Sequence, residues 1–142
     1  MKKIVILGCE NTHANGFLDI ITKNPDYADI QVVGVYSEDA AAAQRLHESY
    51  GVPVMASCDE LVGQVDGVIV TARHGNKHYE FAKPYIKSGV PMFIDKPITI
   101  DEDEAVAFMQ ELKENNILVT GGSMLRFNWP VVQVGLAEQE QV

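Results

Sequence analysis

The chain is poor in cysteine, positive charge and long apolar runs, and each shortage excludes a class of protein. Two cysteines in 142 residues, Cys9 and Cys58, cannot build a disulfide framework, and they show no metal-binding spacing. They read as two reduced thiols. No apolar run approaches the roughly 20 residues that a membrane-spanning helix needs. The basic start, Met1-Lys2-Lys3, is followed only by Ile4 to Leu7 before Gly8 and Glu10 intervene, which is too short for a signal-peptide core. A cytoplasmic protein is expected. Lysine and arginine number 11 against 20 acidic residues, a net charge of −9. Such a surface repels phosphate backbones and anionic lipid, so neither nucleic acid nor membrane is expected as a partner. A single small anion is still admissible, because backbone N–H groups at a helix N-terminus hold phosphate without net positive charge.

What is present is an ordinary globular composition, 46% apolar and 22% charged, in a length that suits one domain with a sizeable core. Lys3 to Gly8 reads KIVILG, a nearly continuous apolar run that suits a strand buried on both faces. A helix is predicted from about His13 to Lys23, with Phe17, Leu18, Ile20 and Ile21 as its apolar stripe. Ile30 to Tyr36 reads as a second strand, Glu38 to Tyr50 as a helix ended by Gly51, and Val52 to Met55 as a short third strand. Ser57 with Glu60 forms a capping-box pattern for a short helix over Asp59 to Gly63. Strands at Gly67 to Thr71, Val90 to Ile94 and Ile117 to Thr120 alternate with helices over Asn76 to Ser88, bent near Pro84, and Asp101 to Asn115. Strictly alternating elements predict an α/β fold, a Rossmann-type doubly wound parallel sheet in a single three-layer αβα domain.

Ligands of such sheets bind at the carboxyl ends of the strands, and four segments fall there. The first is Gly8-Cys9-Glu10-Asn11-Thr12-His13. A dinucleotide loop has the pattern Gly-x-Gly-x-x-Gly, and only its first glycine is present. Glu10 stands at the second position, where its carboxylate is expected to face a pyrophosphate and weaken binding, and His13 stands at the third. Two readings fit: a loop that binds no phosphate, and a rearranged loop in which Asn11, Thr12 and His13 supply side-chain donors. The second segment holds Ser37 where an acid for the ribose is expected, with no arginine evident nearby. Ser37 can bond a hydroxyl, or it can cap the next helix. The third, Thr71-Ala72-Arg73-His74-Gly75-Asn76-Lys77-His78, carries enough cationic groups to attract an anion. Neither cysteines nor a carboxylate pattern accompanies its histidines, so no metal is expected. The fourth is Asp95-Lys96-Pro97. Lys96 at a strand's carboxyl end is placed to reach a ligand, although a solvated turn lysine is the plainer alternative. Pro97 admits a cis bond.

Taken with their order, these residues resemble a known family. Ile94-Asp95-Lys96-Pro97-Ile98 resembles the Glu-Lys-Pro motif of the glucose–fructose oxidoreductase / inositol dehydrogenase (Gfo/Idh/MocA) family. Thr71, His78 and Gly89 follow that family's layout, and 121–127 resembles its passage into a second domain. The resemblance implies an NAD(P)-dependent oxidoreductase acting on sugars, cyclitols or related polyhydroxy compounds. Lys96 inherits the role of the lysine beside nicotinamide and substrate, with Asp95 standing in for glutamate. Thr71 matches the threonine of the family's Thr-Pro-Asn loop, with Ala72 in place of proline, and His78 matches the histidine that opens the next helix. The expected cofactor site comprises Gly8, Glu10, Asn11, Thr12, His13, Ser37, Thr71, Ala72, Arg73, His78, Asp95 and Lys96, for NAD or NADP.

The expected division is a nucleotide-binding domain over 1–125 and, over 126–142, the truncated start of the crossover to an absent substrate domain. The chain alone is then expected to be inactive. The alternative is a non-catalytic Rossmann module that binds a nucleotide or a partner. Self-association as a homo-oligomer is expected through Met124, Leu125, Phe127 and Trp129, an apolar set left uncovered by the missing domain.

Overall fold

The computed structural model describes residues 1–123. Five strands form one parallel sheet: β1 (Lys2–Leu7), β2 (Ile30–Tyr36), β3 (Gly67–Val70), β4 (Met92–Asp95) and β5 (Val119–Gly122), in the order β2-β1-β3-β4-β5. The crossovers run through α1 (Thr12–Lys23), α2 (Ala40–Tyr50), α3 (His78–Ile86) and α4 (Glu102–Glu114). The chain leaves β1 toward β2, then returns to place β3 on the other side of β1. That reversal is the topological switch point of a doubly wound sheet, and it puts a crevice over the carboxyl ends of β1 and β3.

Alternate residues of β1 supply two cores, as the pleat requires. Ile6 belongs to one cluster, with Ala14 and Leu18 of α1 and Ala43 and Leu46 of α2. Val5 and Leu7 belong to the other, with Phe81, Tyr85 and Ile86 of α3 and Phe108 and Leu112 of α4. The pairs 14/18, 81/85 and 108/112 are one helical turn apart, so each helix buries a single face. Each fully buried large side chain contributes about 1.5–3 kcal/mol of apolar burial. Of the stripe expected on α1, Leu18 is buried and Phe17 and Ile21 pack against the core, while Ile20 is 51% exposed and Ala14 is buried in its place. Phe17 also meets Phe93 of β4 edge-to-face at 5.0 Å.

Caps set the helix ends. Asn11 caps α1 through His13 N, Asp39 caps α2 through Ala41 N and Ala42 N, and Asp101 caps α4 through Glu104 N. Gly51, at φ +69°, closes α2 in the left-handed conformation expected of a C-cap glycine.

Two expected elements are absent. The strand over Val52 to Met55 is reduced to one bridge, Val35 to Val54, because Pro53 has no N–H to continue a ladder. The helix over Asp59 to Gly63 is a run of turns. There Ser57 Oγ donates to Asp59 Oδ1 rather than accepting from a helical N–H, and Glu60 reaches back to Ala56 N. A three-residue 3-10 turn, Gly75–Lys77, precedes α3, so the helix expected from Asn76 starts at His78.

Candidate functional site

The strand ends at the switch point are laced together by their own backbone. Gly8 adopts φ +81°, and a Cβ there would lie 2.4 Å from Ala72 Cα and Ala72 N. No side chain fits between these loops, so the first glycine of the fingerprint is retained for close packing of β1 against β3. Gly8 N donates to Tyr36 O at 2.8 Å, and Thr71 Oγ1 donates to Gly8 O at 2.6 Å. Asn11 accepts from His13 N at 2.8 Å and donates through Nδ2 to Thr71 O. Cys9 lies under this lacing with its thiol against Tyr36 O at 3.4 Å. Burial, reinforced by the charge of Glu10, pushes that thiol up to about 12, so it is an inert packing group rather than a nucleophile.

Glu10 is held by partners within the chain. Its carboxylate accepts from Ser37 Oγ at 2.9 Å and from Arg73 N at 2.7 Å. It is therefore tied to the residue after β2 and to the loop after β3, at the border of the cleft over α1. The Arg73 guanidinium closes the loop by donating to Glu10 O at 3.0 Å. Ser37 is not the cap of α2. That role belongs to Asp39, and Ser37 Oγ accepts from Asp39 N at 3.1 Å while donating to Glu10. A cleft of about 340 Å³ passes over the first turn of α1, bordered by Glu10, Thr12, Arg45 and Arg73. Arg45, on α2 and 4.0 Å from Asp39 Oδ2, is the residue that the sequence reading overlooked. It lies eight positions beyond Ser37, on α2, and borders the cleft.

The end of β4 is built differently. Asp95 is 6% exposed, and its Oδ2 pairs with His13 Nδ1 across the crevice. The bulk of His13, which stands where a third glycine is usual, is thus placed over β4. Lys96 follows at the rim and is exposed. Among the described residues it makes no hydrogen bond or ion pair. The acidic run beyond it is otherwise engaged, with Asp101 capping α4 and Glu104 accepting from Thr99 Oγ1 at 2.5 Å. The Lys96–Pro97 peptide bond is cis. Lys96 borders a cleft of about 300 Å³ with Asp95, Met109 and Gly122. A second cleft, of about 380 Å³, lies on the α1 side of Asp95, beside His13, Phe17 and Phe93.

His78 does not face the crevice. It is fully buried, with Nε2 2.8 Å from Ala72 O and Nδ1 2.6 Å from Pro97 O. Both ring nitrogens thus face backbone carbonyls, and the ring ties the loop after β3 to the turn that carries Lys96. This corrects its placement among cofactor contacts: a ring with no exposed atom cannot touch a ligand. The structure does bring Gly8, Asn11, Thr71 and Asp95 to one edge, as expected, and sets His13, Ser37, Arg73 and Lys96 around them. Thr71 and Ala72 are buried, so they shape the crevice floor from below. Met124, Leu125, Phe127 and Trp129, like the rest of 124–142, lie outside the described residues. Among the described residues no helix is long and apolar enough to cross a membrane, and no three His, Cys, Asp or Glu side chains group to hold a metal.

Comparison with known proteins agrees with this architecture. Residues 2–123 match the family described as an oxidoreductase family with an NAD-binding Rossmann fold, Gfo/Idh/MocA. A UDP-N-acetylglucosamine 3-dehydrogenase of Acidithiobacillus ferrooxidans is 32% identical over 109 residues, which cover 75% of this chain and 34% of that protein. The chain spans about a quarter to a third of the length of the curated relatives it matches. In structure, the WlbA dehydrogenase of Chromobacterium violaceum, solved with NADH and UDP-GlcNAcA, superposes with a TM-score of 0.80 at 20% identity, over 98% of this chain and 40% of that one. The apo scyllo-inositol dehydrogenase of Lactobacillus casei gives 0.75 at 22% identity, over 90% and 38%. These two likenesses concern the fold. With the match over 2–123, the strand order and the Asp95-Lys96-Pro97 turn, this chain belongs to the Gfo/Idh/MocA oxidoreductase family, and residues 2–123 form its NAD(P)-binding Rossmann domain.

Proposed function

We propose that the chain is the cofactor-binding part of a dehydrogenase that oxidises a hydroxyl-bearing carbon of a sugar, cyclitol or related polyhydroxy compound. The single observation that carries this reading is Lys96. It is a cation without a partner among the described residues, at the crevice rim, on a turn anchored by His78 through Pro97 O. The nicotinamide supplies the hydride acceptor. Lys96 is the group of this chain that takes part in moving the hydroxyl proton. The residues around the crevice fit a dinucleotide. Thr12, Arg45 and Arg73 offer donors beside the first turn of α1, where a pyrophosphate lies in doubly wound folds. The dehydrogenase relative named above is by name specific for UDP-N-acetylglucosamine, which supports a polyhydroxy ring as the substrate class.

The reading includes a further domain that covers the Lys96 cleft and completes the substrate site, since this chain matches only about a quarter to a third of its curated relatives' length. It includes assembly as a homo-oligomer and a cytoplasmic location. The test is reduction of NAD or NADP by the complete protein with hexoses, inositols and UDP-sugars. Production of the reduced nicotinamide with one of these classes is expected. If cofactor binds and no class is oxidised, the non-catalytic module becomes the better account.

A further inference from the structure

The doubly wound dinucleotide site uses an acid at the end of its second strand to accept a hydrogen bond from the adenosine ribose 2′-hydroxyl. Here β2 ends at Tyr36, the next residue is the uncharged Ser37, and the two acids after it are engaged by Lys77 and by the first turn of α2. Ser37 carries no charge, and its hydroxyl both donates to Glu10 and accepts from Asp39 N. Glu38 is held by the Lys77 ammonium at 2.8 Å. Asp39 accepts from Ala41 N at 3.0 Å and Ala42 N at 3.2 Å as the cap of α2. The carboxylate brought to this place comes instead from the loop after β1. Glu10 reaches across β1 to β2, and it borders both the cleft over α1 and a smaller one, of about 210 Å³, between Glu38, Asp39 and Lys77.

From this we infer that Glu10 is the ribose-recognising acid of this domain, transplanted from the end of the second strand to the glycine loop, and that it selects NAD(H) over NADP(H). The inference rests on the dinucleotide reading above. Its chemistry is that of acceptor capacity and charge. Each carboxylate oxygen accepts two hydrogen bonds, so the contacts to Ser37 Oγ and Arg73 N leave a lone pair on each oxygen for a ribose hydroxyl. They also fix the carboxylate in place before the ligand arrives. A 2′-phosphate offers no donor and brings about two negative charges. It would meet Glu10 together with Glu38 and Asp39. The cations in reach are Arg73, which donates to Glu10 O at 3.0 Å, Arg45, 4.0 Å from Asp39, and Lys77, which is held between Glu38 and Glu80. The substitution at the second fingerprint glycine and the loss of the acid after β2 are then one change rather than two defects.

The experiment is calorimetric titration of the chain and its variants with NADH and NADPH. A hydrogen bond to a charged group, lost or gained, corresponds to about tenfold to a hundredfold in affinity. The wild-type chain should therefore bind NADH at least about tenfold more tightly than NADPH. Glu10→Gln should remove most of that preference by weakening NADH. The double variant Glu10→Gln/Ser37→Asp, which returns an acid to the end of β2, should restore it, an outcome that a merely structural Glu10 would not produce. An unchanged NADH-to-NADPH ratio in a folded Glu10→Gln chain overturns the inference and leaves the dinucleotide reading intact. Wild-type preference for NADPH overturns it as well and assigns the 2′-phosphate to Arg45 and Arg73. If neither nucleotide binds a wild-type chain that is folded by circular dichroism, the dinucleotide reading itself fails.

Discussion

The loop after β1 and the turn after β4 stand at the same sheet edge, yet their polar groups are used in different ways. In the first, Asn11, Glu10 and the Gly8 carbonyl all have partners within the chain, and the β3 loop supplies most of them. In the second, Asp95 is paired and His78 anchors the turn from behind, but Lys96 projects from the rim without a partner among the described residues. The difference follows from burial. A loop packed close enough to exclude a Cβ at Gly8 must satisfy the polar groups it buries, as Gly8 O is by Thr71, and the same packing brings partners to the half-buried Glu10 and Asn11. A rim residue has no such obligation, and a charge left free there is available to a ligand. The β1 loop is thus a structural joint with one carboxylate shown to the cleft. The β4 turn is a structural base that presents one cation.

This contrast can be broken at either end. The largest effect is expected from Lys96→Ala in the complete enzyme, where turnover should fall by roughly 10²–10⁴, the usual share of a proton-transfer group. The thermal midpoint should barely move, since no described contact is lost. A variant with full turnover would show that the rim cation is idle.

Gly8→Ala should act in the opposite sense, on stability first. The added Cβ meets Ala72 backbone at 2.4 Å and φ is positive. Together these should cost about 2–6 kcal/mol in urea unfolding, since strain and overpacking each contribute about 1–3. A variant as stable as wild type would mean that the two loops can separate freely.

Over the first pH unit above 9, a smaller effect is expected. The Cys9 thiol is held above its usual 9.0, at about 12, by burial and then by Glu10, so the folded state keeps the proton that the unfolded chain gives up. Stability from this group is complete below pH 9 and declines as pH rises from there toward 12, by on the order of 1 kcal/mol per pH unit. Cys9→Ala should flatten that limb of the stability profile. An unchanged slope would show that the thiol is accessible to water.

Much of the fold was legible because each signal was local. KIVILG, IQVVGVY and GVIVT announce strands buried on both faces. Gly51 marks a helix end, and Asp95-Lys96-Pro97 marks a family through a short contiguous motif. The misreadings came where one residue's choice depends on a distant partner. Ser37 has the chemistry of a cap, but Asp39 two residues on has the better geometry. Ser57 and Glu60 have capping-box spacing, yet bond within their own turn. Glu10 reads as an obstacle to phosphate, and its sequence neighbours do not show that Ser37 and Arg73, 27 and 63 positions away, fix its carboxylate.

By itself, then, the sequence determined the order and class of the elements, because hydrophobic period and turn chemistry are properties of neighbouring residues. It determined the place of Lys96 as well, since a strand followed by a short turn leaves a lysine little choice of edge. The tertiary structure alone decided which side chains share the crevice. It buried His78 behind the site rather than in it, paired His13 with Asp95 across 82 positions, and brought Arg45 back from α2. These are outcomes of packing two layers of helices on one twisted sheet. The cost of an unpaired buried polar group there selects among partners that no local pattern can rank.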